Sequence, residues 1–218
     1  AKSGDHRGAV EDFTKALKLE PNDPEAYYHR GLAREKTGDA RGAIEDFAGA
    51  LGLTPKMEEA LYHRGLNKRK LGDLPGAVAD FTQALAANPK RADWHYDRGL
   101  AKLMSGDAKG AIEDFTQALG LNPKAPAAYY LRGAAKKKLG DTQGAQDDSA
   151  KAAGLNPDLA DSYYARGQDK QSLGDLHGAI EDFTQAILIR PNIAEAYYDR
   201  GAAKKKLDDA KGAQEDFA

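Results

Sequence analysis

The sequence predicts an all-α fold, and three observations support this prediction. Proline recurs every 34 residues without an insertion or deletion, at Pro21, Pro55, Pro89, Pro123, Pro157 and Pro191. Tyrosine, arginine, glycine and alanine each occupy an invariant column of the same period. Within each copy, apolar and small residues follow the three-and-four spacing of one helix face. A fixed period of this length is typical of stacked units, so we predict an α-solenoid of antiparallel helix hairpins.

Each copy contains two helix-sized segments joined by a short turn. Gly38 is predicted to end the first helix, Asp39 to cap the second, and Pro55 to follow its end. We therefore divide the single array 1–218 into a partial unit 1–23, five whole units 24–57, 58–91, 92–125, 126–159 and 160–193, and a partial unit 194–218. Neither end carries a polar capping helix. We expect exposed apolar ends, which fit either a trimmed chain or end-to-end association.

These columns resemble the tetratricopeptide repeat over the whole chain. The matching positions in one unit are Tyr27 and Gly31 in the first helix, Ala43, Phe47 and Ala50 in the second, and Pro55 after it. The resemblance implies a right-handed superhelix whose first helices line a concave groove for a protein or peptide ligand. An arginine before the glycine, and mostly lysine in place of a second aromatic residue, depart from the common pattern.

The family's groove positions give a set of candidate partner-binding residues. They are Tyr28, Tyr62, Tyr96, Tyr130, Tyr164 and Tyr198, the apolar Leu100, Leu103 and Met104, and the basic Lys70, Lys137 and Lys138. Tyrosine presents a flat apolar ring and a hydroxyl, which suits adaptable binding surfaces. The hypothesis is a groove for an extended or helical peptide, with acidic groups facing the lysines. The alternative is that the tyrosines pack between adjacent helices.

An arginine column and an aspartate column predict ion pairs between helices. The arginines are Arg30, Arg64, Arg98, Arg132, Arg166 and Arg200, and the aspartates are Asp12, Asp46, Asp80, Asp114, Asp148 and Asp182. An inward arginine needs an acceptor, and a carboxylate matches its planar fork. The two columns fit either a ladder of structural ion pairs between helices or a row of anion-binding sites. Whether each arginine pairs within its unit or with the preceding one stays open.

Several local features also need a cause. Glycine always precedes the small alanine of the second helix, as at Gly42 and Gly110, which suggests close packing at a helix crossing or a docking edge. Trp94 is predicted to fill volume left by Ala87. Ser149 replaces the usual phenylalanine, which predicts a hinge or a polar pocket there, or simple drift of the repeat.

Composition limits the function further. The formal charge of -2, with 30% charged residues of both signs, argues against nucleic-acid binding. The chain has no cysteine and no apolar run of membrane-spanning length, and we expect no signal peptide before the repeats. Its five histidines are scattered, so we expect no metal site, no cofactor and no catalysis. We predict a scaffold for a protein partner. A structural protein that self-assembles into a polymer, or the regulatory arm of a longer enzyme, are the alternatives.

Overall fold

The computed structural model describes residues 5–156, 158–172 and 174–218, and all thirteen elements found in these ranges are α-helices. They are α1 (His6–Leu19), α2 (Pro24–Lys36), α3 (Ala40–Leu53), α4 (Glu58–Lys70), α5 (Leu74–Ala87), α6 (Ala92–Met104), α7 (Ala108–Leu121), α8 (Pro126–Lys138), α9 (Thr142–Leu155), α10 (Leu159–Ser172), α11 (Leu176–Ile189), α12 (Ala194–Lys206) and α13 (Ala210–Phe217). The all-α prediction is confirmed. Pro157 of the proline column lies outside the described residues.

The helices form two compact units, and the first, Ala1–Pro123, contains α1 to α7. Its hairpins are α2–α3, α4–α5 and α6–α7. Helices α3 and α5 each also pack against the first helix of the next hairpin, and α1 packs against α2 in the same way. The first helices α2, α4 and α6 touch one another in order, so their equivalent residues lie side by side.

The second compact unit, Lys124–Ala218, contains α8 to α13. Its hairpins are α8–α9, α10–α11 and α12–α13, and α11 also packs against α12. Contacts between α10 and α12, and between α9 and α11, extend across neighbouring hairpins.

Each hairpin turns through the same local structure. Gly38 follows the first helix with φ +85°, in the left-handed region that glycine adopts without strain. Asp208 occupies the equivalent position in the last hairpin, with φ 61°. The carboxylate of Asp39 then caps α3 by accepting a hydrogen bond from the Gly42 backbone N–H at 2.9 Å. The predicted glycine turn and aspartate cap are therefore confirmed.

The glycine column of the second helices is explained by this cap. A Cβ built on Gly110 would lie 2.2 Å from Oδ2 of Asp107, and that capping side chain supplies its three nearest atoms. A Cβ on Gly42 would lie equally close to the Asp39 carboxylate. At Gly110 the nearest atoms therefore belong to the capping carboxylate, and neither a helix crossing nor a docked chain is needed to explain the glycine.

A phenylalanine ring fills the core of most hairpins. Phe47, Phe81, Phe115 and Phe183 have no exposed surface. The ring of Phe81 lies directly against the first helix of its hairpin, where a Cβ built on Gly65 would be only 2.7 Å from it. The small residue thus permits close contact between the helices, and each buried ring contributes about 1.5–3 kcal/mol of transfer free energy.

Trp94 is fully buried, but Ala87 does not explain its size. The indole belongs to a cluster that includes Leu61 and Leu85, and it stacks on Tyr62 with ring centroids 5.2 Å apart. Ala87 is exposed. Three leucines of the same column, Leu53, Leu121 and Leu155, are also exposed, between 42% and 44%. A position at the surface leaves no core volume, so the predicted compensation is wrong.

Candidate functional site

Two hydroxyls of the tyrosine column lie between neighbouring first helices. Tyr62 Oη donates to Asp97 Oδ2 at 2.7 Å, which connects α4 to α6. Tyr164 Oη donates to Asp199 Oδ2 at 2.9 Å, which connects α10 to α12. In both cases the acceptor lies on the first helix of the next hairpin. These two side chains pack between helices and are not simply displayed to a ligand.

The other four tyrosines differ in exposure. Tyr28 and Tyr96 are half-buried beside the phenylalanine of their own hairpins, with ring centroids 6.0 and 5.8 Å apart. Tyr130 is only 3% exposed, whereas Tyr198 is 67% exposed. A partner can therefore reach Tyr28, Tyr96 and Tyr198, but Tyr130 lies in the interior rather than at an open surface.

Removing the hydroxyl of Tyr62 should lower stability, whereas removing that of Tyr130 should not. Tyr62→Phe takes a donor from the largely buried Asp97 and should lower the free energy of unfolding by about 1–2 kcal/mol. The buried hydroxyl of Tyr130 has no hydrogen-bond partner within the described ranges, so Tyr130→Phe should be neutral or stabilising. Urea unfolding of both variants tests this, and equal losses of stability would contradict it.

Asp97 is the centre of one polar cross-link. Besides Tyr62, it accepts a hydrogen bond from Nη2 of Arg69 at 3.0 Å, so two groups of α4 hold one carboxylate of α6. Burial raises the pKa of Asp97 above its usual value, although the tyrosine hydroxyl and the guanidinium act in the opposite direction. The cross-link fixes α4 and α6 in register.

Glu35 forms a second cross-link, between α2 and α4. Its Oε2 lies 3.1 Å from Nδ1 of His63 and accepts a hydrogen bond from Nδ2 of the buried Asn67 at 2.8 Å. Burial would raise the pKa of Glu35, but the bonds from His63 and Asn67 outweigh burial and lower it. Sequence reasoning missed both cross-links because, although Tyr62 belongs to an invariant column, the positions of its partner Asp97 and of Glu35 vary from unit to unit.

An apolar row lies on the first helices of the first compact unit. Leu32, Leu66 and Leu100, which we call the leucine row, occupy equivalent positions of α2, α4 and α6 and are half-buried. Met104, at the end of α6, is 52% exposed. Leu103 is only 8% exposed, so it lies in the interior and not at the surface where the sequence placed it.

The predicted basic residues lie at the carboxyl ends of the first helices. Lys70 ends α4, while Lys137 and Lys138 end α8, and all three side chains are exposed. Cations near a helix carboxyl terminus interact favourably with the helix dipole. Each lysine is therefore both tolerated by the local structure and open to a negatively charged group.

The arginine and aspartate columns form ion pairs within hairpins. The pairs are Arg30–Asp46, Arg64–Asp80, Arg98–Asp114, Arg132–Asp148, Arg166–Asp182 and Arg200–Asp216. Each aspartate lies sixteen residues after its arginine, on the second helix of the same hairpin. In the α4–α5 hairpin the contact is bidentate, with Nε and Nη2 of Arg64 at 2.8 and 2.7 Å from the Asp80 carboxylate.

A second cation completes each pair, and sequence reasoning missed it. Lys68 Nζ lies 2.8 Å from Asp80, and Lys102 Nζ lies 2.9 Å from Asp114. Arg34 plays this part in the first hairpin, 3.0 Å from Asp46. The available signal was a basic residue four positions after each arginine, on the same helix face. Two cations around one aspartate satisfy both carboxylate oxygens.

Asp12 is an exception among the predicted pairs. Its carboxylate is 75% exposed and lies 3.5 Å from Lys15, with no arginine beside it in the described part of the chain. Asp12 is therefore a solvated surface group.

The buried aspartates should make stability pH-dependent in acid. Burial alone would raise the pKa of Asp114, but hydrogen bonds from Arg98 and Lys102 outweigh burial and lower the pKa. The same balance lowers the pKa of Asp148 and of Asp182. A lowered pKa in the folded state adds stability that is present above the unfolded pKa and is lost as the pH falls through the folded pKa.

The free energy of unfolding should therefore change little between about pH 7 and about pH 5, and fall below about pH 4. Urea titrations across this range test the prediction. Asp114→Asn should show a shallower fall than the parent chain, because one of the responsible carboxylates is absent. A parent chain that is equally stable at about pH 7 and about pH 3 would contradict the prediction.

The described ranges contain neither a candidate metal site nor a candidate membrane-spanning helix. They hold no group of three or more histidine, aspartate or glutamate side chains placed to bind a metal ion. No helix in these ranges combines the length and the apolar character that crossing a membrane requires.

Family models match most of the array, from residue 1 to residue 193 with a gap at 58–61. Models described as tetratricopeptide repeat match residues 62–126 and 103–160, and residues 24–57 and 160–193, and a model described as TPR repeat matches residues 1–38. The chain belongs to the tetratricopeptide repeat family. The hairpins and their buried phenylalanines are thus those of a tetratricopeptide array. No curated protein matches the chain by sequence.

Solved structures share the fold of this tetratricopeptide array. A crystal structure of MamA has a TM-score of 0.69 at 27% identity, over 72% of this chain and 92% of that one. YrrB, described as a TPR protein with an unusual peptide-binding site, has a TM-score of 0.65 at 24% identity, over 90% and 99%. A tetratricopeptide repeat protein from Parabacteroides merdae has a TM-score of 0.70 at 22% identity, over 98% and 85%. The last two likenesses concern the fold alone.

Proposed function

We propose that this tetratricopeptide array is a scaffold that binds a peptide or protein segment across the faces of α2, α4 and α6. The observation that supports the proposal is the leucine row, which repeats one half-buried aliphatic side chain on three adjacent helices. The exposed Lys36, Lys70 and Met104 lie at the ends of the same helices. An apolar strip with a polar edge is typical of a binding surface.

The two cross-links favour binding by a surface that is already ordered. Glu35 holds α2 to α4, and Asp97 holds α4 to α6, through charge-assisted hydrogen bonds of 2.8 to 3.1 Å. Binding then requires less ordering of the scaffold, and less of the interaction free energy is lost to conformational entropy. The partner should present apolar side chains to the leucine row and acidic groups to Lys36 and Lys70.

A peptide-display selection on the intact protein tests the proposal. We expect selected peptides to combine apolar and acidic residues, and Lys70→Glu to weaken their Kd by about tenfold, which is about 1.4 kcal/mol. Leu66→Ala should weaken the same peptides through lost apolar contact. Lys109→Glu makes the same charge change at an exposed residue of the second helix α7, and serves as the matched control. Selected peptides that bind Lys70→Glu and Leu66→Ala as tightly as they bind the parent chain would contradict the proposal.

Self-assembly is the second candidate function, and one observation favours it. Tyr198 and Phe217, on α12 and α13, are 67% and 49% exposed and line a common apolar depression. A second copy of the chain could cover these rings. Light scattering over a concentration series tests this, with Phe217→Asp as the variant. A mass that stays monomeric at every concentration would contradict self-assembly and leave the scaffold proposal intact.

A further inference from the structure

The hairpin α8–α9 lacks the ring that fills the core of its neighbours. Ser149 occupies the position that holds Phe115 in the α6–α7 hairpin and Phe183 in the α10–α11 hairpin. Its hydroxyl donates to the backbone carbonyl of Ala145 at 2.9 Å, and so stays close to its own helix. Nothing from α9 replaces the phenyl ring against Gly133. The nearest atom to a Cβ built there is the Ala145 carbonyl oxygen, at 3.1 Å.

A cavity of about 350 Å³ occupies this region of the second compact unit. Its wall is formed by residues of α8 and α9, the end of α11 and the turn that follows it, among them Tyr130, Gly133, Ala145, Ser149, Ile189 and Pro191. Gln146 and Lys137 also line it and add polar groups. The volume lies at the lower end of the range of about 300–1,000 Å³ found for small-molecule sites, and apolar cavities of about 150 Å³ can hold benzene.

Tyr130 lacks the phenylalanine partner that the other members of its column have. Tyr28 packs on Phe47 and Tyr62 packs on Phe81, at centroid distances of 6.0 and 5.8 Å. In the α8–α9 hairpin Ser149 stands in place of that ring.

The hydroxyl of Tyr130 is unpartnered for a related reason. Tyr62 donates to Asp97, thirty-five residues later, but the residue at that distance from Tyr130 is Ala165. The Tyr130 hydroxyl is buried without a hydrogen-bond partner in the described part of the chain. One hairpin therefore combines a missing ring, a cavity and an unsatisfied donor.

We propose that the α8–α9 cavity is a binding site for one aromatic ring, supplied by a ligand in place of the missing phenylalanine. The ring lies against Gly133 and Tyr130, as Phe81 lies against Gly65 and Tyr62 in the regular hairpin. A ligand that also carries a hydrogen-bond acceptor suits the polar residues among those that line the cavity, Lys137 and Gln146. The leucine row lies in the other compact unit, so this site does not depend on the scaffold proposal.

Binding of N-acetyl-L-phenylalaninamide to the intact chain, followed by amide chemical shifts, tests the site. We expect the amides of Gly133, Ala145 and Ser149 to shift in a saturable way. N-acetyl-L-alaninamide, which lacks the ring, should bind at least about tenfold more weakly. Phenol separates the two possible sources of the ring. Tighter binding of phenol indicates a free aromatic molecule, and tighter binding of the amide indicates a side chain within a peptide.

Ser149→Phe supplies the ring from the chain itself and should abolish these shifts. Ser149→Ala keeps the cavity and should bind the probe as the parent chain does. Absence of saturable shifts in the parent chain, or shifts centred on other residues, would overturn the proposal even if Ser149→Phe did not fold. Unchanged binding by a folded Ser149→Phe would also overturn it.

Discussion

Asp114→Ala is expected to lower the free energy of unfolding by about 3–5 kcal/mol. The Asp114 side chain is 2% exposed and lies 2.6 Å from Arg98 and 2.9 Å from Lys102. Removing the carboxylate leaves two partly buried cations without their counter-charge, while His95 Nδ1, 3.6 Å away, loses its nearest anion. The large effect reflects this uncompensated charge and is not the net value of the ion pair, which can be small.

Asp12→Ala is the matched control for this experiment. Asp12 occupies the same column, but its carboxylate is 75% exposed, so its loss should change stability by less than about 0.5 kcal/mol. Urea unfolding followed by circular dichroism compares the two variants with the parent chain. Stacked repeats can unfold in sections, so midpoints and slopes should both be reported. Similar losses for Asp12→Ala and Asp114→Ala would refute the structural role of the buried carboxylates.

Phe81→Ser should lower the free energy of unfolding by a similar amount, about 3–5 kcal/mol. Phe81 has no exposed surface, lies against Gly65 and packs on Tyr62. The substitution removes the ring from a core cluster that also contains Ala77 and Ala101. Because the α4–α5 hairpin is cross-linked to its neighbours on both sides, it has little freedom to collapse around the lost volume.

Ser149→Ala is the comparison at the equivalent position of α9, where no ring is present. It removes only a hydroxyl bonded to its own helix, so the change should stay within about 0.5 kcal/mol. Thermal unfolding of both variants gives the contrast. A loss at Ser149→Ala as large as that at Phe81→Ser would mean that Ser149 has a structural role beyond this helix bond.

Much of the fold could be predicted from the sequence because its causes repeat. Gly38 and Asp39 define the turn and the cap through local backbone conformation, and the same residue types recur every 34 residues. Ion pairing between the arginine and aspartate columns follows from an inward arginine that needs an acceptor, but the sequence left open that Arg64 takes Asp80 of its own hairpin. Because the repeat is exact, each of these local requirements produces a column of residues that is visible in the sequence.

The contacts between first helices could not be predicted in the same way. Tyr62 and Tyr130 are the same residue in the same column, yet one hydroxyl meets Asp97 and the other is buried without a partner. The difference lies thirty-five residues away, where Ala165 stands in place of an aspartate. Burial of Leu103 likewise depends on how α6 packs, which spacing along one helix does not specify.

The self-contained charge cluster of each hairpin bears on how such a chain can change in length. Asp80 takes both Arg64 and Lys68 from its own segment, so copying that whole segment leaves no member of this ion cluster without its partners. In-frame duplication of a gene segment can therefore add a hairpin that brings its own complete ion cluster. Length is thus a trait that natural selection, or a protein engineer, can alter one segment at a time.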